Sequence, residues 1–75
     1  MSRGVSIDQF LTAAEIRKAA AIYKKHRGTG KVAAMIDAEI IAPNIERINK
    51  ALGQPNNPRY LAYAVEFVMM GTEGK

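Results

Sequence analysis

The sequence predicts an all-α fold, a small bundle of three to four helices in one domain over 1–75, with a Pro-kinked or abutting central helix pair. Three observations carry this. Thr12-Ala13-Ala14-Glu15 has the form of a capping box and leads into an alanine-rich stretch. Within 31–52, Ala34, Ala38, Ile41, Ile45, Ile48 and Leu52 recur at steps of four, three, four, three and four, which keeps one seam on one helical face. Asn57-Pro58 then opens another apolar stretch with residues suited to an N-cap and a first helical position. No internal repeat and no strand-like alternation interrupts this pattern.

Taken in order, residues 1–5 read as a loose terminus. Ser6-Ile7-Asp8-Gln9 has the Ser-x-x-Gln form of a second capping box and predicts one short turn through Leu11. From Thr12 the stronger box predicts a helix from Ala13 to about Arg27, with Leu11 and Ile16 spaced as a hydrophobic staple. Lys24, Lys25 and Arg27 fall in its last turn, where cations suit the helix dipole, and Gly28 suits the C′ position. The apolar side of this helix is narrow: Ile16, Ala19, Ala20 and Tyr23. It should therefore lie on the outside of the bundle.

Gly28-Thr29-Gly30 is a short connector, and the next helix is expected to start at Thr29 or Gly30. That helix carries two apolar stripes, Val32-Ile36-Ile40 and Ala34-Ala38-Ile41. The small residues at 34 and 38 would let another helix approach. Pro43 either starts a new helix or kinks a continuous one, because it offers no amide to Glu39. It also disfavours helical geometry at Ala42. The unbroken apolar phase favours continuity. After Gly53 and the loop Gln54-Pro55-Asn56-Asn57-Pro58, the last helix should run to about Met70, with Gly71 at C′ and 72–75 as a loose tail. Its apolar arc spans roughly 220°.

A chain of 75 residues buries only about 60% of its unfolded surface. With 48% hydrophobic residues, it either packs tightly or completes its core by self-association, and a homodimer is expected. There is no Cys, which excludes disulfides and Cys-based metal sites. No apolar run reaches membrane-spanning length and no signal-like stretch opens the chain, so a cytoplasmic location without membrane contact is the expectation.

Charge is unevenly placed. Arg17, Lys18, Lys24, Lys25, Arg27 and Lys31 stand against Glu15 alone in 13–31, a net +5, whereas 32–75 carries −1 and the whole chain +4. Arg17 and Lys24 share one side of the first helix, as do Lys18 and Lys25. Such a face either keeps a small protein soluble or docks on an acidic partner, nucleic acid or a nucleoprotein complex.

Other motifs carry less. Gly28-Thr29-Gly30-Lys31 has the glycine and lysine of a phosphate-binding loop but lacks the preceding strand and the following Ser or Thr. Amides at the start of the second helix, with Lys31 and Arg27, could still hold an anion. A helix-turn-helix reading would aim Asp37 and Glu39 at phosphates, which is unsuitable. His26 is the one histidine, at a helix C-terminus and without a carboxylate pattern around it, so no metal is expected. No nucleophile–base constellation emerges, and Asp37 and Glu39 point about 200° apart on a helix. We therefore expect no enzyme, no catalytic residue and no cofactor.

Tyr60, Tyr63, Phe67 and Met70 form one side of the last helix. Core packing is the commoner fate of such a stripe. An oligomer or partner interface is the alternative. The leading expectation is a non-enzymatic binding protein using Arg17, Lys18, Lys24, Lys25, Arg27 and Lys31. The alternatives are a protein–protein regulator or inhibitor of the phage or mobile-element accessory type, acting through the aromatic helix, and a structural subunit of an oligomer.

Overall fold

The structure, a computed structural model, describes residues 6–73, with side chains through Gly71. The expected loose ends at 1–5 and 74–75 lie outside the described residues. Within them the fold is all-α, with no strand. A 3-10 turn over Ile7–Gln9 precedes α1, Ala13–His26. A long helical rod over 32–52 follows, built from α2 (Val32–Ile36), a π turn (Asp37–Ile41), a 3-10 turn (Ala42–Asn44) and α3 (Ile45–Leu52). The last helix is α4, Pro58–Glu73. α4 packs on α2, the π turn and α1, and α1 also packs on α2, which makes a three-helix bundle.

The capping box at Thr12 forms as its residues dictate. The Glu15 amide donates to Thr12 Oγ1 at 3.1 Å, and Glu15 Oε1 accepts from the Thr12 amide at 2.9 Å. The box expected at Ser6 does not form. The Ser6 hydroxyl turns to Asp8 Oδ1 instead, and the segment closes as a single 3-10 turn. That turn nevertheless buries Ile7, Phe10 and Leu11. On α1 the buried residues are Ala19 and Ile22, with Ile16 and Tyr23 partly buried. Ala20, expected on this face, is exposed and Ile22 takes its place.

The rod starts at Val32, later than the glycines of the connector. Gly28 and Gly30 both have positive φ, +84° and +78°, which a helix cannot absorb. The rod then runs through Pro43 without leaving helical geometry at Ala42 (φ −59°, ψ −43°). In a regular α-helix the proline ring would collide with the Glu39 carbonyl. The chain widens first: the Ala42 amide donates to the Asp37 carbonyl, five residues back. It then tightens, with the Ile45 amide bonding to the Ala42 carbonyl. The Asn44 side-chain amide covers the Ile40 carbonyl at 2.7 Å.

The wide turn changes which residues are buried. Val32, Ala33 and Ile36 are followed inside by both Ile40 and Ile41, then by Ile48. The step from Ile36 to Ile41 is five residues, one more than the α-helical repeat. Of the expected seam, Ile41 and Ile48 are buried and Ala34, Ile45 and Leu52 partly so, but Ala38 is exposed. Ala38 lies about 200° from buried Ile36 and so faces outward, and Ala33 rather than the 34/38 pair sits in the interior. Buried alanines at 19, 33 and 62 let the three helices approach closely.

Gly53 ends α3 in the left-handed region at φ +78°. Its amide bonds to Lys50 O, and the Gln54 amide to Asn49 O at 3.2 Å, the two bonds of a Schellman motif. Asn57 Oδ1 accepts from the Arg59 amide at 2.9 Å and caps α4, with Pro58 at its first position. α4 does not stop at Met70. Gly71 keeps negative φ and the helix runs on to Glu73, so 72–73 are helical rather than a loose tail. Leu61, Ala62, Val65 and Met69 form its buried face.

The register of the rod is testable by urea unfolding. Ile40→Ala should lower stability by about 2–5 kcal/mol, because Ile40 is fully enclosed. Ala38→Gln should stay within about 0.5 kcal/mol. Equal losses at the two positions would return the buried seam to Ala38.

Candidate functional site

Two surfaces stand apart from the core. The first is the outer face of α1. Arg17 and Lys24 form one row along it, and Lys18 and Lys25 a second. All four are exposed, and so are the alanines at 13, 14, 20 and 21 between and beside them. Among the described residues, Arg17, Lys24 and Lys25 make no ion pair. Lys18 Nζ lies 3.9 Å from Glu39 Oε1, with both side chains largely in solvent, so screening leaves that pair weak.

Glu15 is the one acid in this stretch, and it is withdrawn from the face. Both carboxylate oxygens accept from Arg47 Nη2 at 2.8 Å. Arg47 Nη1 also donates to the Phe10 carbonyl at 3.2 Å. Glu15 thus closes the capping box of α1 and holds α3 in a clasp. Its side chain keeps only 19% of its exposure. The outer face is left with cations and methyl groups. No sequence rule links positions 32 apart, so Arg47 could not be assigned from the residues alone, and Glu15 read only as a cap.

The connector extends the cationic surface to Arg27 and Lys31, both exposed. It is well ordered by Thr29, whose hydroxyl donates to the His26 carbonyl at 2.6 Å and accepts from the Lys31 amide at 3.1 Å. That second bond occupies an amide the sequence had left open for an anion. Gly28-Thr29-Gly30-Lys31 is therefore a capped turn between helices, and His26, half-buried, stands at its entry. Asp37 and Glu39 do not converge. Asp37 Oδ2 lies 3.3 Å from Arg59 on α4, while Glu39 faces Lys18 on α1. The Tyr63 hydroxyl, and after it Asp37, hold the Arg59 pKa above its ordinary value.

The second surface is the outer side of α4. Tyr60, Tyr63, Phe67 and Met70 are exposed to 70, 54, 72 and 46%. Core packing, the commoner expectation for this stripe, is thereby overturned. The core face of α4 is already filled by Leu61, Ala62, Val65 and Met69 on the opposite side of the helix. Beside the stripe runs an open groove of about 690 Å³, lined by Phe10, Leu52, Leu61, Ala64, Phe67 and Val68 among others. No helix among the described residues is long and apolar enough to cross a membrane.

Comparison with protein-family models, curated proteins and solved structures finds no match to this chain. Its surfaces must be read from their own chemistry.

The clasp has a measurable signature. Arg47→Ala should cost about 1 kcal/mol by chemical denaturation, a value held down by the partial exposure of the pair. Glu15→Gln keeps a capping-box residue while removing the charge. The double variant should show a coupling of about 0.5–1 kcal/mol. Strict additivity would mean that the two side chains do not meet in solution.

Proposed function

We propose that this is a non-enzymatic binding protein that lays the outer face of α1 and the 28–31 connector along the phosphate backbone of nucleic acid, free or within a nucleoprotein complex. The observation that carries this reading is the pairing of Glu15 with Arg47 on the inner side of α1, away from the rows of cations. It neutralises the one acid of 13–31, and among the described residues Arg17, Lys24 and Lys25 make no ion pair. Lysines and arginines on two rows match a phosphate chain better than they match a single anion. The exposed alanines between them keep the helix slim, so the backbone can come close. The face is built of cations among alanines, so contact to phosphates dominates and the binding is electrostatic and weakly sequence-specific.

A second reading, a protein–protein regulator acting through α4, is favoured by the exposure of Tyr60, Tyr63, Phe67 and Met70. Such side chains are enriched where proteins meet.

The first reading predicts a steep salt dependence. With four to six phosphates neutralised, affinity for a mixed-sequence duplex should fall about 10²–10³-fold between 50 and 200 mM salt. Lys24→Glu with Lys25→Glu should weaken binding uniformly across sequences and flatten the salt slope. Absence of binding at 50 mM salt in a fluorescence-anisotropy titration would refute the proposal.

A further inference from the structure

We propose that the outer face of α4 is covered by a second copy of this chain, in an antiparallel two-fold pairing centred near Val65. The inference stands independently of the nucleic-acid reading, because it concerns a different helix.

Three features of the face point to this occupant. The first is area. Tyr and Phe side chains bury about 150–250 Å² each when enclosed. At the exposures of Tyr60, Tyr63, Phe67 and Met70, a symmetric contact that enclosed all four completely would remove at most roughly 900–1,000 Å² from water through these positions. The partly buried Ala64 and Val68 on the groove side carry it past the ~1,000 Å² that separates specific interfaces from incidental ones.

The second is self-complementarity. The four residues are spaced by three, four and three, symmetrically about position 65. Antiparallel pairing therefore sets Tyr60 against the partner's Met70 and Tyr63 against the partner's Phe67. Each large apolar side chain meets another, as an isologous interface requires, and aromatic–thioether contact is favourable.

The third is charge. The flank of the stripe holds Arg59, paired with Asp37 at 3.3 Å, and Glu66. A nucleic acid would need a surplus of cations here and a basic protein a surplus of acids. The face offers neither surplus, and the chain's positive charge lies on α1, away from the contact. Pairing also encloses apolar surface that a 75-residue core leaves outside. It places two cationic α1 faces on one particle, which raises avidity for a polymer.

The test is light scattering coupled to size exclusion on the full chain. At about 100 μM the mass should be twice 8.2 kDa. Phe67→Glu and Tyr63→Glu should each raise the dimer dissociation constant 100-fold or more, with unchanged helical circular dichroism, since both side chains are outside the protomer core. Ala20→Glu, on exposed α1 surface, should leave the dimer intact. The chain has no cysteine, so register can be read by mixing Tyr63→Cys with Phe67→Cys. The mixture should oxidise to a mixed disulfide faster than either variant alone. A monomer at 500 μM, a dimer indifferent to Phe67→Glu, or faster self-crosslinking of Phe67→Cys would each overturn the proposal. A monomer that crosslinks in cells to a different protein through a photoreactive residue at 67 would also overturn it, in favour of the regulator reading.

Discussion

The Glu15 carboxylate holds together more of this molecule than any other polar group. It accepts from the Thr12 amide and so starts α1. It accepts twice from Arg47 and so ties that start to α3. Arg47 in turn reaches the Phe10 carbonyl, which holds the 3-10 turn and its three apolar side chains down over the core. Three elements that share little sequence are joined at one point. The pair is partly exposed, so its direct energetic contribution is modest. Its structural effect is to tie the start of α1 to α3, while buried Ala19 and Ile22 set which face of α1 points outward.

The second constraint is covalent. Pro43 cannot donate an amide, and the rod answers with one wide turn and one tight turn rather than an end. The wide turn admits an extra residue, and both Ile40 and Ile41 reach the interior as a result. Several of the largest fully buried side chains, Ile36, Ile40, Ile41, Ile48 and Val32, come from this one rod, and each contributes about 1.5–3 kcal/mol of burial. α1 and α4 then need only narrow apolar faces against it. On α1 that frees the opposite side for cations. On α4 the opposite side is apolar as well, and no element among the described residues covers it.

Much of this was legible in the residues, for local reasons. The Thr12 box, the Gly53 stop and the Asn57-Pro58 start each act over a few positions, so sequence order alone suffices to place them. The Ser6 box failed because Asp8 competes for the same hydroxyl. The Ala34–Ala38 stripe is displaced because Val32, Ala33 and Ile36 take the interior of α2, and the π turn that then brings in Ile41 is signalled only by Pro43, which does not itself say whether a chain ends, kinks or widens. Gly71 resembles a stop after Met70, yet a glycine ends a helix in this way only where it adopts positive φ, and Gly71 does not. The Arg47 clasp was invisible for a different reason: it joins positions 32 apart, and only tertiary packing brings them together. The six cations could be named from sequence. That their one neighbouring acid is disarmed could not.

The central proposal is that the α1 face, whose one neighbouring acid is paired with Arg47, is where an acidic polymer binds. The most direct measurement is an NMR titration of the ¹⁵N-labelled chain with a short mixed-sequence duplex at low salt. The account predicts amide shifts along the outer positions of α1 and across the connector, from Arg17 to Lys31, and none centred on α4. Shifts confined to Tyr60–Met70, or no shifts at all, would contradict it.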